Sequence, residues 1–495
     1  MVVSLLLDTN IIIYREDNNV IEDKIQRLSK ILNKPKFNTF VHENSFKDID
    51  NDKNISRREI VTSKMKSYQI LKTHYDFQKD TDFVRIVGYD GTSNEYVDNS
   101  LLYSLLKGET TFLITNDNGI HKKAKKLDKT HENISERVFN ISEALNYFEE
   151  KIPKFPYNIK HDTMNHLDIN DPIFDKLKRD YVDFEGWFKR KQNAKRNCLS
   201  YYNPNNLLGA VLIYKPEEEE QIVLKETILP YKNRIKIATM IVTYEGYKIG
   251  EFFLKWIIDY AQSNKIDELY LTHFIEPDDS LVFLITEYGF ILEGYNNLGE
   301  AVYTKSINRE ECEKKICDEI GEKSPIELAK KYYPYFYDGP EVNKIIVPIT
   351  DEYHEKLFLS KSQQSSLSND ITVSRNTIKK AYLSNTPTNI NVGDILLFYQ
   401  THTNQGISEI GVVESSHKDL SLEDIIKTVG KRSVFSQEEL KEFEDKNSIL
   451  LFIHSREFYK IPSKKLIKMG LIKRAPMTAH NVNNEKYSEF KKLIQ

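Results

Sequence analysis

Residues 1–13 read MVVSLLLDTNIII, an apolar run broken by one carboxylate, Asp8, and then resumed. VVSLLL reads as a strand buried on both faces, because it is apolar without alternation. An acid that closes such a strand is either the cap of the next helix or a group placed at the mouth of a sheet. The residues that follow decide between these. NVIEDKIQRLSKIL reads as an amphipathic helix, KFNTFV as a short strand, and ISRREIVTSKMKSYQIL as a second helix. NEYVDNSLLYSLLKG is a third helix, closed by Gly108. TTFLIT is a second buried strand, GIHKKAKKL a helix, and RVFNIS leads into the helix EALNYFEE. Strands alternating with helices predict a parallel α/β sheet over 1–150.

The chain has 495 residues, enough for roughly two to four domains. With 40% hydrophobic and 29% charged residues it reads as globular. No apolar run reaches the ~18 residues of a membrane span. The N-terminus lacks the layout of a signal peptide, so no membrane association and a cytoplasmic location are expected. Cys198, Cys312 and Cys317 make neither a disulfide framework nor a zinc knuckle and are expected to be reduced. The net charge of −4 means that nucleic acid would have to be held by local basic patches.

In a doubly wound sheet, ligands bind beyond the carboxyl ends of the strands. Asp8 lies there after VVSLLL, and Asp117 lies there after TTFLIT, in ITNDNG. Asp98 stands one turn before Leu102 and two before Leu105, on the apolar stripe of its helix. An unpaired ion there is costly, so it should be paired, capped or metal-bound. Three such acids could converge on one hard cation, Mg²⁺ or Mn²⁺. Taken singly, each has an ordinary reading: Asp8 as a helix cap, Asp117 as a turn residue, Asp98 as partner of a buried lysine.

DTN after an apolar strand, an acid on a later helix, and TND after a second apolar strand resemble the PIN domain, over about the first 150 residues. That resemblance implies a metal-dependent nuclease, mostly of RNA. It implies Asp8, Asp98 and Asp117 as catalytic metal ligands, with Thr115 or Asn116 shaping the pocket. The family's remaining acid follows the second strand, where FVHENSFKDIDND offers Asp48, preferred because Ile49 follows it, or Glu43. The basic stretch KNISRREIVTSKMKS could meet phosphates or simply be a solvated helix face.

Residues 151–175 are polar and dotted with prolines, and read as a linker or domain edge. After it, RIKIATMIVTYEGYKIGEFFLKWIIDYA reads as strand, turn and helix. Together with TEYGFILEGYNNLGEAVYTK it resembles the GNAT acetyltransferase fold over about 176–306, expected as a mixed α/β sheet. The resemblance implies acetyl-CoA as cofactor, held by Ile241, Val242, Gly246, Tyr247, Lys248, Ile249 and Gly250. The loop departs from the family's pattern: Glu245 places a negative charge near the phosphates, with Lys248 to compensate. Ile285 stands where many members carry an acid tyrosine, and Tyr288 reads as packing. A fold kept as scaffold is the plain alternative to an acetyltransferase.

Residues 307–340 read as a charged helical connector. From 341 to 495 the chain turns β-rich, with helices at LEDIIKTV and QEELKEFE. VNVGDILLFYQTHTNQGISEIGVVESS and ILLFIHSREFYKIPSKKLIKMGLIKRAP resemble the PUA-like superfamily, including ASCH and EVE domains. A small β-barrel that reads RNA is implied. Lys431, Arg432, Lys473 and Arg474 are the RNA-binding candidates, with Lys464, Lys465 and Lys468 beside them. Tyr399, Phe435, Phe458 and Tyr459 are candidates for base stacking, or are core.

These readings combine into a three-domain metal-dependent endoribonuclease of toxin, stress or defence type. It would act on tRNA, rRNA or mRNA. An inhibitory protein partner, as in toxin–antitoxin pairs, and a homo-oligomer are compatible with it. Two rivals stand beside it. One is an N-acetyltransferase acting on RNA, aminoacyl-tRNA or protein, whose PIN-like domain only binds RNA. The other is a non-catalytic RNA-binding regulator.

Overall fold

A computed structural model describes residues 3–16, 23–32, 37–50, 58, 61–63, 65–131, 133–148, 159–202, 207–217, 221–243, 248–276, 279–358, 377–385, 389–435, 437–444 and 447–494. The chain divides into two compact units. One comprises Met1–Lys154 with Asp419–Asn447; the other comprises Phe155–Lys418 with Ser448–Gln495.

In the first unit, β1 (Val3–Leu7), β2 (Phe37–His42), β3 (Gln69–Leu71), β4 (Phe112–Ile114) and β5 (Val138–Phe139) pair in the order β3-β2-β1-β4-β5. Every pairing is parallel, with Leu5 opposite Phe112 and Leu7 opposite Ile114. Leu5, Leu6 and Leu7 are buried, as expected for a strand with helices over both faces. The strand order reverses between β1 and β4, which opens a crevice beyond their carboxyl ends. The third helix runs Ser93–Leu106, and Gly108 follows it with φ +77°. One expected element differs. The helix predicted through residue 71 gives way to β3, a three-residue edge strand too short for an apolar run, with Ile70 exposed.

The second unit holds two larger sheets. Its strands begin with β6 (Ile159–Thr163), which lies within the stretch read as a linker or domain edge and is the edge strand of the sheet that follows. Next come β7 (Asn197–Tyr202), β8 (Leu208–Glu217), β9 (Ile222–Val223), β10 (Ile228–Leu229), β11 (Arg234–Val242), β12 (Glu268–His273), β13 (Ile291–Tyr295) and β14 (Ala301–Ser306). The seven-stranded sheet runs β13-β14-β12-β11-β8-β7-β6; β9 and β10 form a separate ribbon. Among the described residues only the β11–β12 pairing is parallel, so this sheet is mixed. The connector contains helices Arg309–Glu319 and Pro325–Lys331.

The last sheet is also mixed. β15 (Lys344–Ile349), β16 (Lys379–Ser384), β17 (Ile395–Gln400), β18 (Gly406–Lys418), β19 (Ser448–Pro462) and β20 (His480–Val482) pair in the order β16-β19-β18-β17-β15-β20. Among the described residues no pairing joins β16 to β20 into the closed barrel that was expected. The expected C-terminal domain is also interrupted: Asp419–Asn447, between β18 and β19, clusters with the first unit. Among the described residues, no helix is long and apolar enough to cross a membrane.

Candidate active site

Four acids from four separate elements of the first unit share one electrostatic field. Asp8 ends β1, and its N–H donates to Ile114 O at 3.0 Å, so the mouths of β1 and β4 are tied together. Its Oδ2 accepts from Asn10 Nδ2 (2.6 Å) and Thr115 Oγ1 (2.5 Å). Thr115, fully buried, in turn accepts from the N–H of Asp117 at 2.9 Å. Asp117 Oδ1 accepts from Ile120 N–H (3.1 Å) and so caps helix Asn118–Leu127. Asp117 thus stands at a helix start, whose positive end favours an anion.

Asp48 lies on the short helix Ser45–Asp50. Its Oδ2 accepts from Thr9 Oγ1 at 3.2 Å, while its Oδ1 is buried with no hydrogen-bond partner among the described residues. Asp98 projects from helix Ser93–Leu106. Burial pushes the Asp8 carboxyl up to about 6. Burial, then the charge of Asp8, pushes Asp48 up to about 7. Burial, then the charges of Asp8 and Asp117, pushes Asp98 up to about 7, with Asp48 contributing. Carboxyls raised by burial and by neighbouring acids in this way make a functional-site candidate.

A lysine answers them. Lys123 is buried, lies 3.1 Å from Glu95, donates to Asn99 Oδ1 at 2.9 Å, and lowers the Asp98 carboxyl through its charge. The alternative fourth acid, Glu43, is exposed and accepts from Thr73 N–H at 2.7 Å; hydrogen bonds from Thr73 hold its carboxyl below the usual range. Asp48, not Glu43, shares the field of Asp8 and Asp98. Sequence reasoning missed Thr9, Asn10 and Lys123. The first two were legible as the hydroxyl and amide that directly follow Asp8. Among the described residues, no three His, Cys, Asp or Glu side chains are already arranged to hold a metal ion.

In the second unit, β11 pairs with β12 only from Arg234 to Ile237, whereas its pairing with β8 continues to Val242. A bulge lies between Ile237 and Thr239, and beyond it Thr239–Val242 make no strand pairing on the β12 side among the described residues. Ile241 and Val242 lie in that stretch. Helix Ile249–Ser263, with Ile249 and Gly250 in its first turn, follows Lys248, which has φ +53° and gives no side-chain cap. The helix's first N–H groups therefore lack a side-chain acceptor from the cap position. Gly246 and Tyr247, like Glu245, lie outside the described residues. Ile285 and Tyr288 are fully buried, and Tyr288 packs edge-on against Tyr333.

The basic candidates separate. Lys473 and Arg474 are exposed. Arg432 is buried in the first unit and donates to Asn133 Oδ1 at 3.1 Å. The side chain of Lys431 lies outside the described residues. Tyr399 and Phe458 are core, Phe435 is half-buried against Phe443, and Tyr459 faces solvent.

A buried polar set on the last sheet was not legible at all. Glu409 of β18 and His454 of β19 sit 2.7 Å apart, with His354 bonded to Ser408 beside them. Burial pushes the Glu409 carboxyl up and the His454 imidazole down. Lys255, on helix Ile249–Ser263, acts on both.

No protein-family model matches the chain, and no curated protein matches it. Solved structures do. The ASCH protein of Zymomonas mobilis is 10% identical, with 31% of this chain and 96% of that chain covered and a TM-score of 0.25. A putative acetyltransferase of Staphylococcus aureus Mu50 is 10% identical, covering 28% and 87%, with a TM-score of 0.20. A putative GNAT-family acetyltransferase of Desulfovibrio desulfuricans is 10% identical, covering 30% and 98%, with a TM-score of 0.21.

Proposed function

We propose that the chain is a divalent-metal-dependent endoribonuclease of PIN type. The observation that carries this is the field shared by Asp8, Asp48, Asp98 and Asp117 at the switch point of a parallel sheet, with Asp48 Oδ1 buried and without a hydrogen-bond partner among the described residues. An all-oxygen donor set suits Mg²⁺ or Mn²⁺. A buried carboxylate oxygen without a donor is costly unless a cation answers it. These four acids would hold the metal, which would supply a nucleophile from water and charge stabilisation in phosphodiester cleavage. The remaining residues set the acids in place. Asn10 and Thr115 fix Asp8, Thr9 fixes Asp48, and Thr115 links Asp8 to the start of the Asp117 helix.

The β11 stretch beyond the bulge and the helix that follows support a GNAT-like domain that takes acetyl-CoA, with Ile241, Val242 and the stretch from Gly246 to Gly250 as its cofactor residues. The last sheet would present RNA through Lys473, Arg474 and Tyr459. RNA is then both substrate and partner. The test is direct: RNA incubated with the full chain should be cut in Mn²⁺ and left whole in EDTA. RNA bound but uncut in Mn²⁺ would select the non-catalytic regulator instead.

A further inference from the structure

Asp419–Asn447 separates β18 from β19 in sequence, yet it packs within the first unit. Asn447 closes its neck. Asp419 N–H donates to Asn447 O (3.0 Å) and Leu420 N–H to Asn447 Oδ1 (2.9 Å), while Asn447 Nδ2 donates to the carbonyls of Leu420 (2.8 Å) and Phe443 (2.9 Å). Beyond the neck, Ser421 caps helix Leu422–Val429. Leu422, Ile425, Ile426 and Val429 are buried, at the spacing of a single helix face.

The segment then meets residues 133–137. Asn133 Nδ2 donates to Thr428 O (3.5 Å), and Arg432 donates to Asn133 Oδ1 (3.1 Å). Between them lies Gly430, with φ +46°. A Cβ there would come within 2.8 Å of Glu136 Cβ and 3.1 Å of Glu136 O, an approach only glycine permits.

The receiving surface ends in Arg137, itself buried. Its Nε donates to Thr111 O (3.0 Å), and its Nη2 donates to Leu105 O (3.1 Å) and Thr110 O (2.8 Å). Leu105 is in the last turn of the helix that carries Asp98. Thr111 leads directly into β4, which ends before Thr115 and Asp117. One guanidinium therefore staples two acid-bearing elements, and Glu423 of the docked helix acts on it electrostatically.

We propose that Asp419–Asn447 is a built-in partner of the first unit which, through 133–137 and the Arg137 staple, aligns Asp98 with Asp117. Cleavage then depends on a segment supplied by the C-terminal third of the chain. This rests on the nuclease reading of the four acids. Asn133, Gly430 and Arg432 are positioning residues that act through Arg137.

The experiment compares the full wild-type chain with Gly430→Val and with the milder Arg432→Ala. Hydrogen–deuterium exchange and Mn²⁺-dependent cleavage are both measured. Faster exchange is expected at 105–114 and 133–138 as well as at 419–447, with exchange in the second unit unchanged as the control for folding. The kcat should fall about 10–100-fold, because small misplacements of catalytic groups cost that much, while KM for RNA moves little. Unchanged exchange at 105–114 in both variants, or faster exchange there with full kcat, overturns the proposal. If the wild-type chain cuts no RNA, the nuclease reading fails, and exchange alone decides the rest. Faster exchange at 105–114 then retains the staple; a change confined to 419–447 removes it.

Discussion

Asp8→Asn is expected to abolish Mn²⁺-dependent RNA cleavage, by at least about 10²-fold, which corresponds to about 2.7 kcal/mol of barrier. The fold should survive the change. The asparagine carbonyl can still accept from Asn10 Nδ2 and Thr115 Oγ1, the two bonds that now hold Asp8 Oδ2. The substitution also removes a buried charge whose ionisation is already opposed, with the carboxyl pushed up to about 6. Melting temperature in metal-free buffer should therefore stay level or rise. A gel assay and a thermal melt on the same sample check both parts. Undiminished cleavage would sink the assignment. Under the rival acetyltransferase reading, labelled acetyl groups would pass from acetyl-CoA to RNA or protein equally well in Asp8→Asn.

The second large effect is on stability against pH. Asp8, Asp48 and Asp98 start from the same ordinary value, 3.8, and stand at about 6, 7 and 7 in the folded chain. A carboxyl whose folded pKa is raised binds its proton more tightly when folded. Its contribution to stability is full below about 4 and is lost as pH rises through 6–7. The metal-free first unit should then be more stable at pH 5 than at pH 8. The difference is on the order of a few kcal/mol, reduced because Asp48 and Asp98 are partly exposed and the acids titrate as a group. Mn²⁺ should reverse the trend, because it needs the carboxylates ionised. Its stabilisation should be large at pH 8 and small at pH 5. The buried His42 of the first unit and His354 and His454 of the second act with the opposite sign, since burial pushes their imidazoles down. The relevant quantity is therefore the difference between wild type and Asp98→Asn. Parallel melting curves for the two from pH 5 to 8 would contradict the account.

Asp8, Asp98 and Asp117 were legible because each breaks an apolar pattern at a definite place: two at the ends of buried strands, one on the stripe of a helix. Asp48 was legible only as one of two choices. The structure separates it from Glu43 by Thr9 on one side and Thr73 on the other. Lys123 was hidden because GIHKKAKKL offers four lysines, and nothing local tells which one turns inward. β3 was hidden because a three-residue edge strand carries no period. The displacement of Asp419–Asn447 could not be read at all. Its apolar stripe says that one helix face is covered, but not by which part of the chain. The burial of Arg432 was hidden for the same reason: a basic pair on a polar loop looks like a surface until its partner, Asn133, is known.

The central claim is that four acids of the first unit hold a divalent cation. Crystals of the full chain grown with Mn²⁺, with anomalous data collected at the manganese edge, test it most directly. The account predicts a peak among Asp8, Asp98 and Asp117, with Asp48 and not Glu43 beside it. Crystals in millimolar Mn²⁺ with no peak among these carboxylates would contradict it.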